Sequence, residues 1–152
     1  IARAIKGIVT ARTEGWEYFE ADGSQLEFRV AAELTRDTQA FSDIINDEDV
    51  HQITADYLTA HKEPTSRQDA KSRTFRPLFA GSTGTKAEVA YCEFFTQKYN
   101  EMYKEQTRWT WDVVASKRLV TKYGMIYYWD SKVTGSGYIT HTTEIFNAPI
   151  NL

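Results

Sequence analysis

At 152 residues, 41% hydrophobic and 14% aromatic, the chain has the length of one domain and enough apolar side chains for a core, which excludes disorder. No apolar run approaches the roughly 18–20 residues that span a bilayer, no signal-peptide pattern opens the chain, and a lone cysteine, Cys92, excludes a disulfide framework or a cysteine-rich zinc site. A net charge of −3, from 18 basic and 21 acidic residues, excludes a globally basic nucleic-acid binder but leaves room for a local basic face.

Residues Ile5–Thr10 and Trp16–Ala21 are short and rich in β-branched and aromatic side chains. With Thr13-Glu14-Gly15 between them they predict a hairpin or meander. The pattern breaks at Asp22-Gly23. Ser24 and Glu27 have capping-box spacing, which predicts a helix from Ser24 to about Leu34 with Leu26, Val30 and Leu34 along one face. Asp37 to Ile45 reads as a short helix and Asp49 to Ala60 as another, Asp49 and Gln52 repeating the capping-box spacing. His61 to Pro64 is a loop. Thr65 or Ser66 then caps a helix carrying Arg67, Lys71, Phe75 and Phe79, which Pro77 should kink or end because it has no N–H to give.

Gly81-Ser82-Thr83-Gly84 is a turn. From Thr85 to about Arg118 the composition is helical, read as two helices broken near Asn100 or as one long helix. Leu119–Trp129 and Val133–Thr142 predict a two-stranded ribbon with the loop Asp130-Ser131-Lys132 and a bulge at Gly135 and Gly137. Glu144 to Leu152 reads as the approach to a further helix. Strands, then helices, then strands again give the fold class α+β. No repeat or low-complexity linker interrupts the chain. It opens at Ile1 without a methionine and stops at Leu152 without a terminal signal, which reads as a piece of a longer protein.

Three stretches carry chemistry. Asp22-Gly23-Ser24-Gln25-Leu26-Glu27-Phe28-Arg29 puts a carboxylate at a strand end beside a glycine carbonyl, an oxygen pair suited to Mg²⁺, although Asp-Gly alone is a common turn signal. Arg67, Lys71, Phe75 and Phe79, four apart, wind along one broad helix face. Two cations followed by two rings would read a nucleotide, the cations on phosphate and the rings on sugar and base. The same pattern also suits a solvated basic half and a buried aromatic half. In Asp49-Val50-His51-Gln52-Ile53-Thr54-Ala55, His51 falls in the first helical turn, where free N–H groups favour an anion. His61 and His141 have no ligand-like spacing to it, which speaks against zinc.

In order and spacing these stretches resemble the family A DNA polymerases, the bacterial polymerase I and bacteriophage group. Asp22 to Arg29 matches that family's motif A, Asp-x-Ser-Gln-Ile-Glu-x-Arg, with only Leu26 for Ile. Asp49 to Ala55 matches a segment like Asp-Ile-His-x-x-Thr-Ala, and Arg67, Lys71 and Phe75 fall in place on motif B. Asn147-Ala148-Pro149-Ile150 looks like the family's Asn-x-Pro-x-Gln stretch.

The resemblance implies a polymerase right hand: residues 1–36 a palm segment with motif A, 37–140 helical fingers with motif B, and 141–152 a return to the palm. Asp22 would bind the two Mg²⁺ ions that flank the transferred phosphoryl group, with the Gly23 carbonyl as a further ligand. Arg67, Lys71 and His51 would hold the triphosphate of a deoxynucleotide, Lys71 with a catalytic part in stabilising the charge that builds there. Ser24 and Gln25 would line the nucleotide. Glu27 would sit against the sugar and exclude a 2′-hydroxyl, and Phe75 would pack beside the ribose, a phenylalanine there implying poorer acceptance of dideoxynucleotides. Phe79 would stack near the templating base, and Asn147 and Asn151 would touch primer-template DNA.

Some positions depart from the pattern. Phe79-Ala80 stands where motif B usually ends in Tyr-Gly, so the hydroxyl is lost, and Asn151 stands where the family has Gln. Motif C, a His-Asp-Glu-like turn with the second metal-binding aspartate, is missing from these residues. The chain is therefore expected to be inactive alone and to work with the remainder of a polymerase chain. The Arg-Pro-Leu-Phe-Ala-Gly version of motif B points to a bacteriophage, and so to a bacterial host's cytoplasm. Two other readings remain at this stage. A single-subunit RNA polymerase shares the palm Asp and the motif B Lys but lacks Ser-Gln-x-Glu, so Glu27 favours DNA. A non-catalytic nucleic-acid-binding relative would lack motif C altogether.

Overall fold

The computed structural model describes residues 12–17, 19 and 23–151. The two strands predicted ahead of Asp22 lie outside the described residues, apart from Trp16, Glu17 and Phe19, which are exposed and belong to no regular element. The turn expected between them is present. Trp16 N–H donates to the Thr13 carbonyl at 3.1 Å, and Gly15 takes the left-handed conformation at φ +79°.

The described chain is α+β: seven helices, a 3-10 turn and one two-stranded antiparallel sheet. Helix α1 spans Leu26–Thr35, α2 Thr38–Ile45, α3 Val50–Ala60 and α4 Arg67–Thr74. A 3-10 turn at Pro77–Phe79 leads to α5, Lys86–Lys98, and α6, Asn100–Ser116. Strands β1, Arg118–Val120, and β2, Ile126–Tyr128, precede α7, Thr142–Asn147.

Side-chain caps start most of these helices. Asp37 accepts from Ala40 N–H, Asp49 from His51 and Gln52 N–H, and Ser66 from Asp69 N–H. The Asp49 cap is not a reciprocal box, because the Gln52 side chain bonds Asp56 instead. At α1 the expected capping box does not form. The chain turns through Gln25 in the left-handed region, φ 52°, which takes the Ser24 hydroxyl away from the helix N-terminus. The face of α1 also differs from expectation. Phe28, Ala31, Ala32 and Thr35 are buried, at i, i+3, i+4 and i+7, while Leu26 is exposed and Val30 and Leu34 are only partly covered.

The break between α5 and α6 falls at Tyr99, next to the expected Asn100. Tyr99 donates to Asp43 Oδ2 at 2.8 Å, and Lys98 reaches the same oxygen, so α2 holds the junction. Asp37 then serves two helices at once: Oδ1 caps α2, and Oδ2 accepts from Met102 N–H at 2.9 Å in the first turn of α6.

The ribbon pairs differently from the sequence expectation. Leu119 to Trp129 is itself a hairpin, with Leu119 opposite Tyr127 and Val120 opposite Ile126. Thr121 N–H bonds the Met125 carbonyl at 2.8 Å, and Gly124 at φ +80° lets the chain reverse there rather than at Asp130. Val133 and Ile139 make only an isolated bridge around a separate turn. The last helix likewise begins at Thr142, ahead of Glu144.

The main core joins Phe28, Ala31 and Ala32 of α1 to Leu58 of α3, Leu78 of the 3-10 turn, Tyr91 and Phe95 of α5, and Met102 of α6. A second cluster, Trp109, Val113, Leu119 and Ile145, seats the hairpin and α7 on α6, with Leu34 packed against both clusters. Helix α1 and the 3-10 turn therefore share one core.

Candidate functional site

Helix α4 is polar, and its packing decides what it displays. Ala70 and Thr74 are buried, while Arg67 and Lys71, beside that buried stripe, are exposed. The helix stops at Thr74, so Arg67, Lys71, Phe75 and Phe79 do not share one continuous helix as expected. Pro77 has no N–H to return to the Arg73 carbonyl; Arg76 N–H bonds that carbonyl instead, at 3.1 Å, and the chain tightens into the 3-10 turn. Phe75 caps α4, and Phe79 sits on the separate turn; both are half-buried against the main core.

Helix α3 meets this segment at its first turn. Arg67 Nε donates to Asp49 Oδ2 at 2.5 Å. His51 Nδ1 lies 2.9 Å from Thr74 Oγ1, and the His51 ring stands edge-on to Phe75 with centroids 5.5 Å apart. Beneath, Phe75 stacks on Phe28 at 5.6 Å, so α1 supplies the floor under the ring that follows α4. Tyr91 of α5 fixes the end of α4 by donating to the Thr74 carbonyl at 3.0 Å.

The electrostatics follow from this clustering. Burial pushes the His51 imidazolium below its ordinary 6.5. The nearby Arg67 and Lys71 push it the same way, with Asp49 opposing between them. The Arg67 guanidinium holds the Asp49 carboxyl below the usual carboxylate range, against the smaller effect of its burial. The structure thus brings together Arg67, Lys71, His51 and Phe75 over Phe28. Two cations and a ring edge, beside an imidazole that can take up a proton, can bind a polyphosphate attached to a flat or sugar-bearing group.

The residues expected to form motif A stand at the start of α1. Gly23, Ser24 and Glu27 are exposed, Gln25 is half-buried, and Arg29 Nε bonds the Ser24 carbonyl at 2.9 Å. Asp22 lies outside the described residues. Among the described residues no three His, Cys, Asp or Glu side chains cluster as a metal site.

Asn147 and Asn151 form a pair of their own at the end of α7. Asn151 Nδ2 donates to Asn147 Oδ1 at 2.8 Å, and Asn147 Nδ2 donates to the Thr143 carbonyl at 3.0 Å.

Sequence reasoning passed over the arginines that follow Lys71. Arg73 pairs with Glu63 and Glu88, and Arg76 with Glu88 at 3.0 Å and the Thr83 carbonyl at 2.8 Å. Glu88 also completes a capping box with Thr85, a Thr-x-x-Glu spacing readable in the sequence. These cations hold the turn in shape. Thr74 and Phe28 were also missed as partners of His51 and Phe75, and no spacing signal marks them.

Comparison with known proteins adds one positive finding. A family model described as DNA polymerase family A matches residues 1–125, a span that includes Asp22 to Arg29, Asp49 to Ala55 and Arg67 to Phe79. No curated protein sequence matches the chain.

Proposed function

Because the chain belongs to DNA polymerase family A, we propose that it forms the nucleotide-binding part of a template-directed DNA polymerase, which transfers a deoxynucleotidyl group to a primer 3′-hydroxyl. The observation that carries this reading is the convergence of Arg67, Lys71 and His51 beside Phe75, with Phe75 stacked on Phe28 of motif A. Arg67 and Lys71 take phosphate oxygens of the incoming triphosphate, and Lys71 stabilises charge that grows there during transfer. Phe75 packs beside the sugar, Glu27 closes the space a 2′-hydroxyl would need, and Ser24 and Gln25 line the same side. Phe79 meets the templating base, and Asn147 and Asn151 meet primer-template DNA.

A carboxylate at Asp22 and the Gly23 carbonyl are hard oxygen donors that fit Mg²⁺. The ion, when bound there, would neutralise phosphate charge and acidify the primer hydroxyl. One carboxylate does not hold two such ions in catalytic geometry, and these 152 residues contain no His-Asp-Glu stretch. On this reading the chain is inactive alone and works as palm (1–36), fingers (37–140) and returning palm segment (141–152) of a larger polymerase, of bacteriophage type. No helix among the described residues is long and apolar enough to cross a membrane.

Primer extension by the intact polymerase tests the reading. Lys71→Ala should lower kcat/KM for deoxynucleotides by about 10²–10³-fold, the usual cost of losing one donor aimed at developing charge. Asp22→Ala should abolish addition, and unchanged addition in both variants would sink the proposal. Glu27→Ala should admit ribonucleotides; a wild-type enzyme that already prefers them would favour an RNA polymerase instead. Magnesium-dependent synthesis by the 152-residue chain alone would overturn the inactivity.

A further inference from the structure

Asp49 is engaged on both carboxylate oxygens. Oδ1 accepts from the backbone N–H groups of His51 at 3.2 Å and Gln52 at 3.1 Å, which ties it to the first turn of α3. Oδ2 accepts from Arg67 Nε at 2.5 Å. Among the described residues, Arg67 makes no other side-chain hydrogen bond or ion pair, so Asp49 touches only the inner nitrogen of the guanidinium. The two terminal nitrogens, which carry four of the five N–H donors, have no protein partner among the described residues, on a side chain that is 45% exposed.

We propose that Asp49 is a positioning residue: anchored to α3, it holds Arg67 by Nε so that the terminal nitrogens meet a phosphate group of the incoming nucleotide. This rests on the reading of α3 and α4 as the nucleotide site. An arginine on a helix surface otherwise spreads over many rotamers, and a phosphate that binds it must first gather them. Asp49 removes that cost in advance. Its own position is set by backbone donors rather than by another mobile side chain, so the restraint is rigid. Holding the inner nitrogen alone is also the arrangement that leaves a two-pronged contact for a tetrahedral anion.

The test uses the intact polymerase and deoxynucleotide kinetics. Asp49→Asn retains an oxygen to cap α3 but loses the charge on Arg67. It should leave the thermal midpoint close to wild type and raise the nucleotide KM by roughly fivefold, more than it lowers kcat, the factor expected for a well-formed exposed ion pair. In an Arg67→Lys background, where no Nε fork exists to aim, Asp49→Asn should add no further loss. Full additivity of the two substitutions would overturn the inference, as would a fall in KM, which would make Asp49 a competitor for Arg67. If Arg67→Ala itself leaves KM unchanged, the nucleotide-site reading fails. If Arg67→Ala raises KM and Asp49→Asn does not, only the positioning role fails.

Discussion

His51 Nδ1 donates to Thr74 Oγ1 across 2.9 Å. The Thr74 hydroxyl has one proton, which it gives to the Ala70 carbonyl at 2.9 Å, so it can only accept from the ring. The neutral imidazole therefore carries its proton on Nδ1 and leaves Nε2 as an acceptor. It can donate to an anion from Nε2 only after taking up a second proton.

That arrangement predicts a pH dependence. Burial, then Arg67 and Lys71, hold the folded-state value below 6.5, with Asp49 opposing. The unfolded chain thus binds this proton more readily, so the contribution of neutral His51 is present above pH 6.5 and is lost as pH falls through the lowered folded value. Denaturation midpoints between pH 7 and pH 5 should fall less steeply in His51→Gln than in wild type. Adding a deoxynucleotide should move the His51 NMR titration upward; a downward or absent shift would count against phosphate binding at this ring.

Phe28 is fully buried, stacked on Phe75 and edge-on to Tyr99 at 5.1 Å. Phe28→Ala should cost about 3–5 kcal/mol by urea denaturation, the range for deleting a buried ring, and Phe28→Leu clearly less. In the intact polymerase Phe28→Leu should also raise the nucleotide KM, because Phe75 loses its floor. A cost for alanine below about 1 kcal/mol would mean that the ring is not seated as described.

Asp37 caps α2 and α6 together while only 1% exposed. Asp37→Ala leaves two N–H groups without partners and should cost about 2–4 kcal/mol, counting roughly 1 kcal/mol per cap and the burial of unpaired donors. Asp37→Asn keeps one acceptor oxygen and should lose less. Hydrogen exchange should quicken at Ala40 and Met102 in the alanine variant, and protection unchanged at Met102 would disprove the double cap.

Glu88 gathers Arg73, Arg76 and the N-terminus of α5. Glu88→Gln keeps a cap acceptor but takes the carboxylate partner from Arg76 and one of two from Arg73, which keeps Glu63, a cost of about 1–3 kcal/mol. Gly84 supports the same knot: at φ +138° it has a conformation that side chains rarely adopt, and a Cβ there would lie 2.0 Å from Glu88 Oε2. Gly84→Ala should therefore destabilise the protein, and thermal melts should show most of that loss persisting in a Glu88→Gln background, because the backbone strain does not depend on the charge at 88 and glutamine is as large as glutamate.

The features legible in the chain were those written within a few residues of one another. Asp37, Asp49 and Ser66 announce helix starts because a cap reaches only two or three residues ahead. Pro77 announces the end of α4, although the helix stops earlier than the aromatic spacing implied, at Thr74. The hairpin differs from the sequence expectation because the chain already reverses at Gly124, ahead of Asp130, closing β1 on β2 while Leu119 is drawn into the core beneath α6.

The sequence by itself determined the polymerase family, the α+β class and the two cations four residues apart, since motif spacing and capping are local chemistry. Which side of α1 faces inward was decided only in three dimensions. Leu26, Val30 and Leu34 recur at helical spacing as well as Phe28, Ala31 and Ala32 do, and the choice belongs to Phe75, Tyr99 and the neighbours that pack there. The same holds for Asp49 with Arg67 and for His51 with Thr74, pairs 18 and 23 residues apart. No periodicity encodes such partners, because their meeting depends on how α3 and α4 dock, and that is set by the shared core as a whole.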